Sequence, residues 1–275
     1  MYNIYMKIPE VLSRKNRILL NELTKTDFKL RYQGSVLGYL WAIIRPMLLF
    51  GILYVVFAKF LRFGNEIPHY PVYLLTGTVL WSFFTECTNQ GIQSLILRSD
   101  LMRKISFPKW IIVLSATTTA LINLCINLLV VIIFALLSGV SLSISWLLVP
   151  VLILELYILS FGIALLLGSI NVKFRDIGSI WEVLLQALFY AIPIIYPLSM
   201  VMAYNSFAAK ILMLNPIAQV IQDVRYNLIT TESVTGWGII DNILMKFIPI
   251  LLVIIVTALG IIVFKRKSKY FAEEI

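Results

Sequence analysis

WIIVLSATTTALINLCINLLVVIIFALLS, residues Trp110 to Ser138, contains no Asp, Glu, Lys or Arg. A hydrocarbon core of about 30 Å needs about 20 mostly apolar residues in helical form, so this stretch reads as a helix that crosses a bilayer. Outward from it, five more stretches meet the same requirement: Val36–Leu61, Tyr70–Leu97, Trp146–Ile170, Ile177–Leu198 and Ile243–Phe264. Composition agrees, with 60% of the 275 residues hydrophobic and 13% charged, against about 25% charged in soluble domains. The sequence predicts an all-α integral membrane protein of six transmembrane helices and excludes a water-soluble fold.

Basic residues set the orientation, because Lys and Arg are retained on the cytoplasmic side. Seven lie in the N-terminal arm (Lys7, Arg14, Lys15, Arg17, Lys25, Lys29, Arg31) and four after the second span (Arg98, Arg103, Lys104, Lys109). Lys173 and Arg175 follow the fourth span, and Lys265, Arg266, Lys267 and Lys269 follow the sixth. Against these stand Lys59, Arg62, Lys210 and Arg225 on the other side, which puts both termini in the cytoplasm. The net charge of +9 is then explained by anionic lipid on the inner leaflet, with no nucleic-acid partner implied. The arm Met1–Arg31 lacks the 7–15-residue apolar core of a signal peptide and reads as retained. Cys87 and Cys125 fall within spans and read as small buried hydrophobes, outside any disulfide or metal pattern.

Three segments follow: residues 1–35 as a cytoplasmic amphipathic interface helix, 36–264 as the transmembrane domain, and 265–275 as a cytoplasmic tail. From Glu10 to Arg31 the apolar stripe of Val11, Leu12, Ile18, Leu19, Leu23 and Leu30 alternates with basic residues, as in a helix lying on the inner leaflet. Gly34 and Gly38 mark either a bend or a close helix packing. Residues Arg98 to Trp110, RSDLMRKISFPKW, read as a brief cytoplasmic helix stopped at Phe107-Pro108, either a docking element or an ordinary topogenic loop. Between the fifth and sixth spans, Phe207–Ile229 is broken at Asn215-Pro216 and carries Asp223 and Arg225, which fits two short re-entrant or interfacial helices.

Chemistry-bearing motifs are few. No G-x-x-x-x-G-K-[ST] sequence occurs, so nucleotide phosphates cannot be cradled by a P-loop, and ATP dependence requires another chain. His69 is the sole histidine, and neither H-E-x-x-H nor G-x-S-x-G is found. A membrane-embedded transferase would have to rely on Glu86, Glu155 and Asp176, which sit in separate helices or at the cytoplasmic face. Glu86 and Glu155 have no basic partner nearby in sequence and read as structural. Arg45, about 7–8 Å inside the inner boundary if the first span starts near Leu40, reads either as a cation presented to a phosphate-bearing lipid or as a snorkelling anchor. Aromatics away from the span ends, including Tyr54, Phe83, Phe84 and Phe189, suit the apolar faces of sugars or plain helix packing.

Several phrases, taken in order, resemble the permease subunits of type-2 ABC exporters for lipid-linked polysaccharides, the exporters of teichoic acid, O-antigen, capsule and rhamnose-containing wall polymers. They are Asp27-Phe28-Lys29-Leu30-Arg31-Tyr32-Gln33-Gly34-Ser35, Leu37-Gly38-Tyr39-Leu40-Trp41 with Pro46, Trp81-Ser82-Phe83-Phe84, Arg103-Lys104-Ile105 with Phe107-Pro108, Phe174-Arg175-Asp176-Ile177, Pro193-Ile194-Ile195-Tyr196 and Asn215-Pro216. The resemblance runs from about Leu23 to Lys267. It implies the type-2 ABC exporter fold in a bacterial cytoplasmic membrane, as a homodimer carried on two copies of a separate ABC ATPase. That partner would hold ATP and Mg, with no cofactor on this chain.

In that picture Arg103, Lys104, Phe107, Pro108 and Lys109, with the N-terminal arm, would dock on the ATPase. Arg31, Tyr39, Trp41 and Arg45 would meet the lipid pyrophosphate end of the substrate. Tyr54, Phe189 and Tyr196 would lie along the sugar pathway, and Asn215 and Pro216 would form an outer gate. A drug or small-lipid permease of the same fold is the nearest rival. A secondary transporter is more distant, since no repeated halves are visible.

Overall fold

The computed structural model describes residues 13–34, 36–62 and 67–274, and every regular element among them is helical. Lys7, Val11 and Leu12 of the arm and Ser35 of the matching phrase lie outside the described residues.

Helix α1 (Arg14–Tyr32) begins where the Ser13 hydroxyl accepts the Asn16 N–H at 3.3 Å, satisfying one of the orphan donors of the first turn. It lies against α5 (Trp110–Leu137). Its stripe divides: Leu23 is buried, whereas Ile18 and Leu30 face outward. Gly34 and Gly38 follow with φ of +79° and +48°, and a Cβ at either would meet nothing within 4 Å. Of the two readings of this pair, the bend is the one observed.

A 3-10 turn, Gly38–Leu40, leads into α2 (Trp41–Leu53), which continues as a π-helical stretch, Tyr54–Phe60. Then come α3 (Tyr70–Leu97), α4 (Ser99–Lys104), α5, a 3-10 turn at Ile144–Leu148, α6 (Val149–Asn171) and α7 (Asp176–Ala191). Short helices α8 (Leu198–Tyr204), α9 (Ser206–Leu212), α10 (Pro216–Leu228), α11 (Gly236–Ile239) and α12 (Ile243–Lys246) precede α13 (Ile248–Lys267) and α14 (Phe271–Glu274).

Among the described residues, four helices are long and apolar enough to cross a membrane: Gly38–Phe60, Trp110–Leu137, Ile144–Asn171 and Ile248–Lys267. The other two expected spans differ from these in instructive ways. With 28 residues α3 is long enough, but α2, α5, α6, α7 and α10 pack around it. Protein rather than lipid surrounds it, so it can carry Thr76, Thr78, Glu86, Thr88 and Gln90. Its buried hydroxyls bond back to the helix, Thr76 to the Val72 carbonyl at 2.8 Å and Thr88 to that of Phe84 at 2.9 Å. Helix α7 has only 16 residues, about 24 Å at 1.5 Å per residue. The stretch expected as Ile177–Leu198 stops being helical after Ala191, just before Pro193 removes a donor. Likewise Ile243–Phe264 divides at Phe247 into α12 and α13.

Lipid tails are as apolar as leucine, so close packing has to hold such helices together. Where α6 crosses α13, a Cβ on Gly162 would fall 2.7 Å from the Thr257 Cα, and one on Gly260 would collide with the Gly162 carbonyl. Apolarity, conversely, does not report burial here. Cys87 is buried as expected, but Cys125 is exposed on α5, because a bilayer-crossing helix puts its apolar side chains on lipid as readily as on protein.

Candidate functional site

A cavity of about 1070 Å³ opens between α2, α3, α5 and α7, with the end of α1 at its mouth. α2 contributes Trp41, Arg45, Pro46 and Leu49, α3 contributes Trp81, Ser82, Phe83, Glu86 and Gln90, α5 contributes Asn123 and Asn127, and α7 contributes Glu182, Gln186, Phe189 and Tyr190. Glu86 is the polar centre. Its carboxylate forms an ion pair with Arg31 of α1 and accepts from the Asn123 amide at 2.6 Å and the Gln90 amide at 3.2 Å. As expected, no basic residue close to Glu86 in sequence pairs with it. Its partner is 55 positions away in sequence, brought in by the elbow after α1. Arg45 enters none of the ion pairs among the described residues. Asn127 donates to the Ala42 carbonyl at 3.1 Å, while its Oδ1 is buried with no donor.

A second ion pair joins Asp27 of α1 to Arg98 at the end of α3, and Ser115 of α5 donates to the same carboxylate at 2.9 Å. Asp27 and Arg31 are four residues apart and so share one face of α1. That face is pinned to the bundle at two points, each about three-quarters shielded from solvent.

On the opposite end of the bundle sits a residue that sequence reasoning counted only as an external charge. Arg225 of α10 is completely buried. Its guanidinium donates to the carbonyls of Tyr73 (3.0 Å), Pro193 (2.7 Å) and Ile194 (2.6 Å) and to Gln222 Oε1 (2.9 Å), and it stacks 3.5 Å from the Tyr73 ring centroid. Two of those carbonyls are freed by the break that ends α7, so the fork-shaped cation repairs the break. Gly77 of α3 leaves the space, because a Cβ there would strike the guanidinium. The available signal was a run of polar side chains, Gln219, Gln222, Asp223, Arg225 and Asn227, within one short helix. Nearby, Glu155 of α6 keeps one buried oxygen without a partner.

The cavity brings together Arg31, Trp41 and Arg45 of the proposed headgroup contacts, whereas Tyr39 stands outside it and stacks on Phe28 of α1 at 5.2 Å. Of the three pathway aromatics, Phe189 lines it, 5.9 Å from Trp81. Tyr54 lies on the π-helical stretch beside Phe50, and Tyr196 is spent on the carbonyls of Ala191 (2.8 Å) and Tyr190 (3.3 Å). Asn215 caps α10, its Oδ1 accepting the Ile217 N–H at 2.9 Å, with Pro216 at the first helical position. Arg103 and Lys104 are exposed on α4, Phe107 and Pro108 are half-buried, and Lys109 turns inward to the Ser268 carbonyl.

Comparison with known sequences gives a consistent picture. A sequence profile described as ABC-2 type transporter matches residues 19–229. The O-antigen export system permease protein RfbA of Klebsiella pneumoniae is 30% identical over 258 residues, spanning 93% of this chain and 94% of that protein. RfbA of Myxococcus xanthus is 31% identical over 200 residues, 73% of this chain and 76% of its own. The polysialic acid transport protein KpsM of Escherichia coli is 25% identical over 216 residues, 75% and 79% of the two chains.

Proposed function

The chain belongs to the ABC-2 type transporter family, and from that premise we propose that it is the permease subunit of an ATP-driven exporter of a lipid-linked cell-surface polysaccharide in a bacterial inner membrane. The names of its relatives, O-antigen export and polysialic acid transport, support a polysaccharide cargo. The observation that carries the reading is the chemistry of the cavity. Arg45, which enters none of the ion pairs among the described residues, offers a guanidinium suited to a phosphate-bearing lipid end, and Arg31, held by Glu86, lines the same cavity. Trp41, Trp81, Phe189 and Tyr190 offer flat apolar faces, and Asn127 Oδ1 offers an acceptor without a donor, which a sugar hydroxyl would satisfy.

In this reading α3 and α7 also cross the membrane, giving six passes with both termini in the cytoplasm. α1 and the α4 loop then share the cytoplasmic face, where two copies of a separate ATPase holding ATP and Mg dock. The outward-facing apolar residues of α2 and α7 are the surface on which a second copy of the chain packs, closing the open side of the cavity. ATP binding to the ATPase pair biases the two permease copies between closed and open arrangements. Helices α8 to α10, hinged at Asn215-Pro216, form the outer gate.

The test is co-expression with a candidate ATPase and purification through a tag on this chain alone. A stoichiometric ATPase that is lost on R103A/K104A, together with polysaccharide accumulating inside depleted cells, is the expected result. Purification without any ATPase, or depletion without intracellular polymer, counts against the reading.

A further inference from the structure

The segment after α13, residues 268–274, is held against the loop that carries α4. α4 has six residues, too few to hold its own shape or direction. Its one buried side chain is Met102, which packs in a cluster with Phe264, Ile112 and Phe271. Phe271 is 0% exposed and meets Phe264 edge to face at 5.4 Å. At the far end of the same loop, Lys109 donates to the Ser268 carbonyl at 2.6 Å, with its ammonium 5.7 Å from the Phe271 ring centroid. Burial pushes the Lys109 ammonium pKa down, and the Glu273 carboxylate opposes that shift.

Both ends of the loop are thus tied to one short stretch, by an apolar plug at α4 and a charge-assisted hydrogen bond at Lys109. Arg103, Lys104 and Ile105 are left pointing outward together. We infer that residues 268–274 are a positioning element for the docking loop: Phe271 and Lys109 fix the direction of α4 and do not themselves touch the ATPase. The inference rests on the reading that this loop meets an ATPase. It also reassigns Lys109 from docking contact to brace.

Hydrogen exchange on the full-length permease in nanodiscs tests the brace without the partner. F271A is expected to speed exchange of the Ser99–Lys104 amides by about tenfold or more while exchange in α5 and α6 stays unchanged. F271L should stay near wild type, and K109Q should shift the same amides in the same direction by less. In the co-purification assay F271A should lose the ATPase severalfold, whereas R103A should lose it with wild-type exchange. Unchanged Ser99–Lys104 exchange in both F271A and K109Q overturns the inference, as does full ATPase recovery with a loosened loop. If wild-type permease brings down no ATPase, the exporter reading fails instead, and the exchange arm still decides whether the segment braces the loop.

Discussion

At single residues, the sharpest demands fall where a large side chain fills a place that a small one leaves. Gly77 and Arg225 are such a pair, since a Cβ at Gly77 would come 3.0 Å from the guanidinium carbon and 3.2 Å from the Ile194 carbonyl. Overpacking of this kind costs about 1–3 kcal/mol. G77A should therefore lower the thermal unfolding midpoint of the purified protein. R225M should lower it as well, because each buried carbonyl stripped of its donor costs about 1–3 kcal/mol. The double variant should be far less destabilised than the sum of the two, since removing the guanidinium removes the clash. Strictly additive midpoint shifts would show that the two residues do not share one space. The polar side chains around Arg225 mark the stretch as unusual but do not say what the guanidinium binds. Two of the three carbonyls it binds lie 32 and 31 positions away, in a break after α7 that hydropathy reads as unbroken span, and the third, that of Tyr73, lies 152 positions away.

At the scale of elements, α1 illustrates what a pattern can and cannot foretell. The apolar and basic alternation before Arg31 identifies an amphipathic helix, and the helix is there. Periodicity tells which residues share a face, but not what that face meets. Asp27 and Arg31 turn to ionic partners on α3 and at its end, and Asp27 also accepts from Ser115 of α5, so the contact face of α1 is partly charged. D27A and R31A should each loosen α1 without unfolding the bundle, seen as faster exchange of the Arg14–Tyr32 amides, and the pair E86Q/R31A should show a coupling of about 0.5–3 kcal/mol. An α1 that exchanges normally in D27A/R31A would mean that Leu23 and its neighbours suffice. For α10 the sequence was more generous, because Asn-Pro is a helix start in itself. Replacing Asn215 with Ala should cost about 0.5–2 kcal/mol through the lost cap, and N215D should restore most of it in the same unfolding assay.

Across the whole molecule, apolar side chains are divided between those that protein covers and those left on the outside, and hydropathy is blind to the difference. That blindness is why the four lipid-suited helices were plain in the sequence while α3, sheathed in protein, and α7, short and broken, were drawn as if they were the same kind of span. The first span is the least enclosed, with 6% of its apolar window buried. α7 adds Ile180, Val183 and Tyr190 to the same open side of the cavity, Val183 being 66% exposed. If a second copy covers this side, a charge at Val183 should separate the copies. An arginine facing lipid carries its own insertion cost of about 2.5–3.5 kcal/mol, so the comparison must hold that cost fixed. Ile254 of α13 is 59% exposed on a helix remote from the cavity and serves as the control. By mass measurement in nanodiscs or mild detergent, wild type and I254R should both be dimeric and V183R monomeric. Dimeric V183R would place the contact between copies on another face. A monomeric I254R would mean that the charge acts through misinsertion rather than through the interface.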